Sequence, residues 1–194
     1  MQIVFLILGY ISGSLPFALW VTRLVKGIDV RDGGSGHIGA TNTMRQAGWG
    51  PGVLVLVLDI GKGFLPTYLA LHYQASDWIV ALTAALVVVG HCWTVFAQFR
   101  GGMGLAAMGG TLLAIAPLYF WIGLGLLIAL VLLIKHSARA GVFTGILLAP
   151  VFLLLGQRGV LILVAAATGL VTAIRFTIDW NRQYRELWLD RERE

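Results

Sequence analysis

The segment Gly33-Gly34-Ser35-Gly36-His37-Ile38-Gly39-Ala40-Thr41-Asn42-Thr43-Met44-Arg45 holds the densest set of groups able to do chemistry. Its small residues let the backbone come close to a ligand. Backbone N–H groups in such a loop form a nest for phosphate oxygens. Ser35, Thr41 and Asn42 add hydroxyl and amide groups, and Arg45 adds a planar fork suited to bidentate phosphate binding. The pattern is not a Walker A motif, which ends in Gly-Lys-Ser/Thr. A second cluster, Phe99-Arg100-Gly101-Gly102-Met103-Gly104, offers N–H groups again, with Arg100 as its cation. On spacing alone, each cluster also fits a plain glycine turn. His91 is a polar residue inside an apolar run, and Asp59 and Lys62 lie three apart in another. That spacing lets the last two pair on one helix face, and such a pair must face the interior of a bundle. The pair would hold the bundle together, or Lys62 would reach a phosphate.

The elements that carry these residues belong to a membrane. Of 194 residues 58% are hydrophobic and 12% charged, against roughly 25% charged in a soluble domain. This composition excludes a soluble globular domain, disorder and a nucleic-acid binder with a basic surface. The single cysteine, Cys92, excludes an intramolecular disulfide. The four histidines lack metal-ligand spacing, so no metal or organic cofactor is expected.

The hydropathy pattern predicts an all-α, polytopic integral membrane protein. Its seven transmembrane helices are expected at about 3–25, 52–72, 78–98, 105–120, 121–135, 142–155 and 160–176. Only Pro117 and the run Tyr119-Phe120-Trp121 divide the fourth from the fifth, so six spans are the alternative. With seven, Arg23, Lys26, Arg31, Arg45, Arg100, Lys135, Arg139, Arg175, Arg182, Arg185, Arg191 and Arg193 fall on one side and Arg158 alone on the other. The positive-inside rule then puts the N-terminus outside and the C-terminus in the cytoplasm. One transmembrane domain, 1–194, is expected, with a polar cytoplasmic loop at 26–49 and a short charged cytoplasmic tail from about 181. The first span reads as an uncleaved helix, because no basic residue precedes it. His72 to Asp77 fits an H-x4-D acyltransferase pattern, but it falls on the side opposite the polar clusters and is rejected.

Three stretches resemble the bacterial acyl-phosphate:glycerol-3-phosphate acyltransferases of the PlsY type. They are Gly27-Ile28-Asp29-Val30-Arg31 leading into Gly34-Ser35-Gly36-x-x-Gly39-Ala40-Thr41-Asn42-x-x-Arg45; Leu58-Asp59-x-x-Lys62-Gly63-x-x-Pro66; and Gly90-His91-x-x-x-Val95-Phe96 leading into Phe99-x-Gly101-Gly102-x-Gly104. The resemblance covers about residues 9–120. It implies seven helices, an active site at the cytoplasmic face of the bacterial plasma membrane, and acyl transfer from acyl phosphate to the 1-hydroxyl of glycerol 3-phosphate. The product would be lysophosphatidic acid, within phospholipid synthesis. The implied partners are the two substrates, membrane lipids and the enzyme that produces acyl phosphate; nucleic acid is not one. Carried over by position, Ser35, His91 and Arg100 become the catalytic candidates. Gly34, Gly36, Gly39, Thr41, Asn42, Arg45, Lys62, Gly101, Gly102 and Gly104 become the substrate- and phosphate-binding candidates.

The chain departs from this pattern at several positions. Here His37 replaces Asn, Arg100 and Met103 replace Lys, Ala107 replaces Thr, and Phe176 and Asp179 replace the His and Asn of a closing motif. His136, Ala138 and Gly141 stand where the family has a Tyr-x-Ser-x-x-Ser pattern. These departures leave two alternatives beside the enzyme: a weak or inactive homologue that scaffolds or regulates lipid synthesis, and a small phosphate-ester transporter.

Overall fold

The computed structural model describes residues 2–182. The charged tail expected from about 181 therefore lies almost wholly outside the described residues.

The chain is all-helical among the described residues. The expected first span is split into α1 (Gln2–Ser14) and α2 (Phe17–Lys26). Pro16 explains the break, because it has no N–H and disfavours a helical residue before it. The break leaves the Leu15 carbonyl without a helical partner, and Lys62 Nζ donates to it at 2.9 Å. After the polar loop come α3 (Ala40–Ala47), α4 (Trp49–His72) and α5 (Asp77–Cys92). Then follow α6 (Leu105–Ile115), α7 (Pro117–Ile134), α8 (Ser137–Leu154) and α9 (Val160–Ile178). The boundary between the fourth and fifth expected spans is corrected. It falls at Ala116–Pro117, with the proline at the first position of α7, and the aromatic run lies inside that helix.

Among the described residues six segments are long and apolar enough to cross a membrane: 2–26, α4, 77–97, α7, α8 and α9. The helix α6 is apolar but has only 11 residues, about half the length of a spanning helix.

Glycines let these helices touch backbone to backbone, as small residues do where no hydrophobic force drives helices together. A β-carbon on Gly13 of α1 would overlap the Val87 carbonyl of α5. One on Gly63 of α4 would overlap the Ala107 carbonyl of α6, and one on Gly110 would overlap that of Ile60. Gly145 and Gly169 join α8 to α9 in the same way. Buried threonines return their hydroxyls to the preceding turn, as Thr67 does to Gly63 at 2.9 Å and Thr168 to Val164 at 2.7 Å. This satisfies polar groups where water is absent. The helix α7 stands at the edge of the bundle. Of its residues only Gly123 is buried, as expected of a helix that is apolar all round.

Candidate functional site

Asn42, in the first turn of α3, organises the glycine-rich loop. Its amide nitrogen reaches the carbonyls of Val30, His37 and Gly33 at 2.8, 3.1 and 3.2 Å, and its amide oxygen accepts the Ser35 N–H at 3.0 Å. Gln46, one turn on, donates to Val30 and Gly33 at 2.7 and 3.0 Å. Gly34 is required where the loop meets Asn42. Its φ is +57°, and a β-carbon there would overlap the Asn42 side-chain oxygen. At the loop's entrance, Asp29 binds Arg31 and Arg23 at 2.7 and 2.8 Å. The hydrogen bonds from Arg31 hold the Asp29 carboxyl well below the usual carboxylate range, against the smaller opposing effect of burial.

The second cluster joins the first. Ile38 N–H donates to the Gly101 carbonyl at 3.3 Å, and Gly102 N–H to the His91 carbonyl at 3.0 Å. A β-carbon at Gly101 would overlap the His91 carbonyl, and one at Gly102 would overlap the His91 ring. Arg175 Nε, near the end of α9, donates to the Gly102 carbonyl at 3.1 Å. Loop, α5, second cluster and α9 therefore meet at one place.

A cavity of about 390 Å³ lies there. Its polar wall includes Ser35, His37, Gly39, Thr41, Asn42 and Arg45 from the loop and α3, Asp59 from α4, His91 from α5, Gly102 and Gly104, and Ser137 at the start of α8. The first turn of α3 contributes the partial positive charge of a helix start. The other wall is apolar, with Leu56 and Ile60 of α4, Leu105 of α6, and Phe120, Leu124, Leu127 and Val131 of α7. Those four α7 residues form a stripe at helical spacing, so the exposed helix α7 separates the cavity from the surrounding lipid. A smaller cavity of about 50 Å³ shares Leu105, Gly109, Phe120, Leu124 and Leu127 with it and reaches Met108, Leu112, Gly123 and Thr144.

Of the expected site residues, Ser35, Gly39, Thr41, Asn42, Arg45, His91, Gly102 and Gly104 line the cavity. Gly34, Gly36 and Gly101 lie in the backbone behind it. Arg100 is exposed and does not line it. Nor does Lys62, which is held between Asp59 Oδ1 at 2.8 Å and the Leu15 carbonyl. His91 Nδ1 stands 3.7 Å from Asp59 Oδ1 and has no hydrogen-bond partner among the described residues. His72 and Asp77, the rejected H-x4-D pair, do not line the cavity either.

The sequence reading did not foresee the roles of His37, Asp179 and Ser137. His37 Nε2 is 3.0 Å from Asp179 Oδ2, one residue past α9. Burial lowers the His37 pKa to about 4; Asp179 opposes this, while Arg175, Arg182 and Arg45 reinforce it. No local spacing signals a pair so far apart in sequence. Two further departures also touch. The Phe176 ring fills the space that a β-carbon at Gly141 would need, and Ala138 packs in the same buried cluster.

A family model described as "Glycerol-3-phosphate acyltransferase" matches residues 3–186. A glycerol-3-phosphate acyltransferase of Rubrobacter xylanophilus is 39% identical over 160 residues, covering 81% of this chain and 78% of that one. One from Thermus thermophilus is 42% identical over 144 residues, covering 72% and 69%. The fold resembles the crystal structure of PlsY (YgiH), an integral membrane glycerol 3-phosphate acyltransferase, in its glycerol 3-phosphate form. The TM-score is 0.83 at 30% identity, over 93% of this chain and 90% of that one. These names favour the enzyme over a scaffold or a transporter. With its family match over nearly the whole length, the chain belongs to the glycerol-3-phosphate acyltransferase family.

Proposed function

We propose that this membrane glycerol-3-phosphate acyltransferase takes its acyl group from acyl phosphate and joins it to the 1-hydroxyl of glycerol 3-phosphate, giving lysophosphatidic acid. One observation carries the reading: a single cavity has a glycine-rich, cationic wall on one side and an apolar wall on the other. A fatty acyl phosphate needs both. Its chain fits beside α7, where each buried CH₂ contributes about 0.8 kcal/mol. Its phosphate, and that of the acceptor, fit the polar wall.

In the reaction the hydroxyl oxygen attacks the acyl carbon, and the bond from that carbon to the phosphate oxygen breaks. Phosphate leaves with the electron pair, and the hydroxyl proton passes to a substrate phosphate oxygen. Because phosphate is a good leaving group, the protein contributes positioning and charge stabilisation. Arg45 and the backbone N–H groups at the start of α3, at Gly39, Thr41 and Asn42, bind phosphate, while Gly34 and Gly36 let the loop fold back so that the N–H groups of Ser35, Gly36, His37 and Ile38 bond within the fold. Ser35 is the polar side chain nearest the reacting atoms, and His91 orients a substrate. Gly102 and Gly104 complete the same polar wall, and Gly101 ties it to the loop through Ile38. Arg100 attracts anions from outside the cavity, and Lys62 braces α4 behind Asp59.

The same reading includes seven crossings, with α6 a short one, and a single transmembrane domain. Its N-terminus is outside, its C-terminus inside and its active face at the cytoplasmic side of the bacterial inner membrane. The charge asymmetry and the gathering of the cavity-lining loops at the end away from Arg158 support this orientation. That face would also receive acyl phosphate from the enzyme that produces it.

The test is purified protein with palmitoyl phosphate and labelled glycerol 3-phosphate. Labelled lysophosphatidic acid and equimolar phosphate are expected. None above background, beside an active relative, defeats the reading.

A further inference from the structure

His37 and Asp179 stand at two separately braced parts of the fold. The loop carrying His37 is held by Asn42 and Gln46 of α3 and by the Gly101 carbonyl. The end of α9 is held to α8, where Arg139 lies 5.4 Å from the Trp180 ring and Phe143 packs against the same ring. Between these parts run the His37–Asp179 contact at 3.0 Å and a hydrogen bond from Arg182 Nη2 to the Ser35 carbonyl at 2.9 Å. Arg182 Nη1 is 3.9 Å from Asp179 Oδ1, which ties the two links together. The His37 and Asp179 side chains are only 11% and 8% exposed, whereas that of Arg182 is 49% exposed. Ser35 and His37 both line the cavity, and Asp179 does not. Asp179 therefore acts on the cavity only through its partners.

We propose that His37 and Asp179, with Arg182, form a clasp that positions the Ser35–Asn42 loop and so sets the binding of the phosphate-bearing acceptor. The proposal rests on the cavity being the substrate site. A neutral imidazole donating Nε2–H to a carboxylate has a fixed ring plane and a fixed tautomer. The ring cannot turn without breaking that bond, and the Ser35 carbonyl cannot move without losing Arg182. The backbone at 39–42, which follows directly and offers its N–H groups to a phosphate, is thereby held in one arrangement before the ligand arrives, which lowers the ordering cost of binding.

The experiment is steady-state kinetics on the full-length protein with palmitoyl phosphate and glycerol 3-phosphate. The variants are His37→Ala, Asp179→Ala, Arg182→Ala and the double His37→Gln/Asp179→Asn, in which the glutamine amide nitrogen takes the place of Nε2. Thermal unfolding is followed in parallel. Each single change is expected to raise KM for glycerol 3-phosphate by about tenfold, the effect of one lost positioning bond. The KM for palmitoyl phosphate should move much less. The double variant keeps an uncharged hydrogen bond in the same place and should return to within about threefold of wild type, a non-additive result expected of contacting residues. Arg182→Ala removes a half-exposed side chain, so it reports on the clasp even if the buried variants fold poorly. Unchanged KM in Arg182→Ala, additive losses in the double variant, or losses confined to kcat in step with unfolding would overturn the clasp. An inactive wild type would instead defeat the substrate-site reading, and the clasp with it.

Discussion

The side-chain oxygen of Asn42 accepts the Ser35 N–H at 3.0 Å, while its amide nitrogen reaches three carbonyls of the same loop. One buried amide thus shapes the loop that presents Ser35 to the cavity. Asn42 is 2% exposed, so no water replaces these bonds when they are lost.

It follows that Asn42→Asp should be nearly as damaging as Asn42→Ala. A carboxylate can accept from Ser35 but cannot donate to carbonyls. Both changes should cost about 1–3 kcal/mol of stability and most of the activity. Thermal unfolding and the acyltransfer assay check this, and an active, stable Asn42→Asp would contradict it.

Arg45 is the arginine that lines the cavity, whereas Arg100 stays exposed outside it. Arg45→Ala should lower kcat/KM by on the order of a hundredfold, the scale for removing one donor aimed at reacting charge. Arg45→Lys should recover part, because it keeps the charge but not the fork. Arg100→Ala should cost far less. Kinetics on the three variants rank them, and a larger loss at Arg100 would reverse the assignment.

Asp59 and Lys62 form a buried pair with side chains 3% and 4% exposed. Lys62→Met should destabilise by about 3–5 kcal/mol, since it leaves a carboxylate alone in the interior. The double change Asp59→Leu/Lys62→Met should be milder than the single one. Unfolding midpoints in detergent decide it; a double variant worse than Lys62→Met would argue against a mainly electrostatic brace.

Phe120 lines both the larger and the smaller cavity, so removing its ring would add space between them. Phe120→Ala should shift preference toward longer acyl phosphates, with each added CH₂ gaining up to about 0.8 kcal/mol. Competition between acyl phosphates of different length measures the shift. An unchanged profile would place the chain's end elsewhere.

At Gly63 even one methyl group is too many, because it would meet the Ala107 carbonyl. Gly63→Ala should cost about 1–3 kcal/mol by overpacking, whereas Gly125→Ala, with open space around it, should be neutral. Folded yield and melting temperature compare the two.

The membrane character is legible in the sequence alone, because twenty-residue apolar runs and scarce charges admit no other solvent. So are the glycine-rich segment 35–45 as a candidate anion-binding loop and the pairing of Asp59 with Lys62, since those depend on residue type and short spacing. Tertiary packing sets which candidates face one cavity and where α6 ends, at Ile115 ahead of Pro117 and the aromatic run. It alone paired His37 with Asp179 and packed Phe176 against Gly141. Those contacts join positions far apart in the chain, and only the packing of α9 against α8, α5 and the loop brings them together. Local spacing carries no record of that packing. For the same reason Lys62, which resembles a phosphate ligand in sequence, is held by Asp59 and by the Leu15 carbonyl at the Pro16 break.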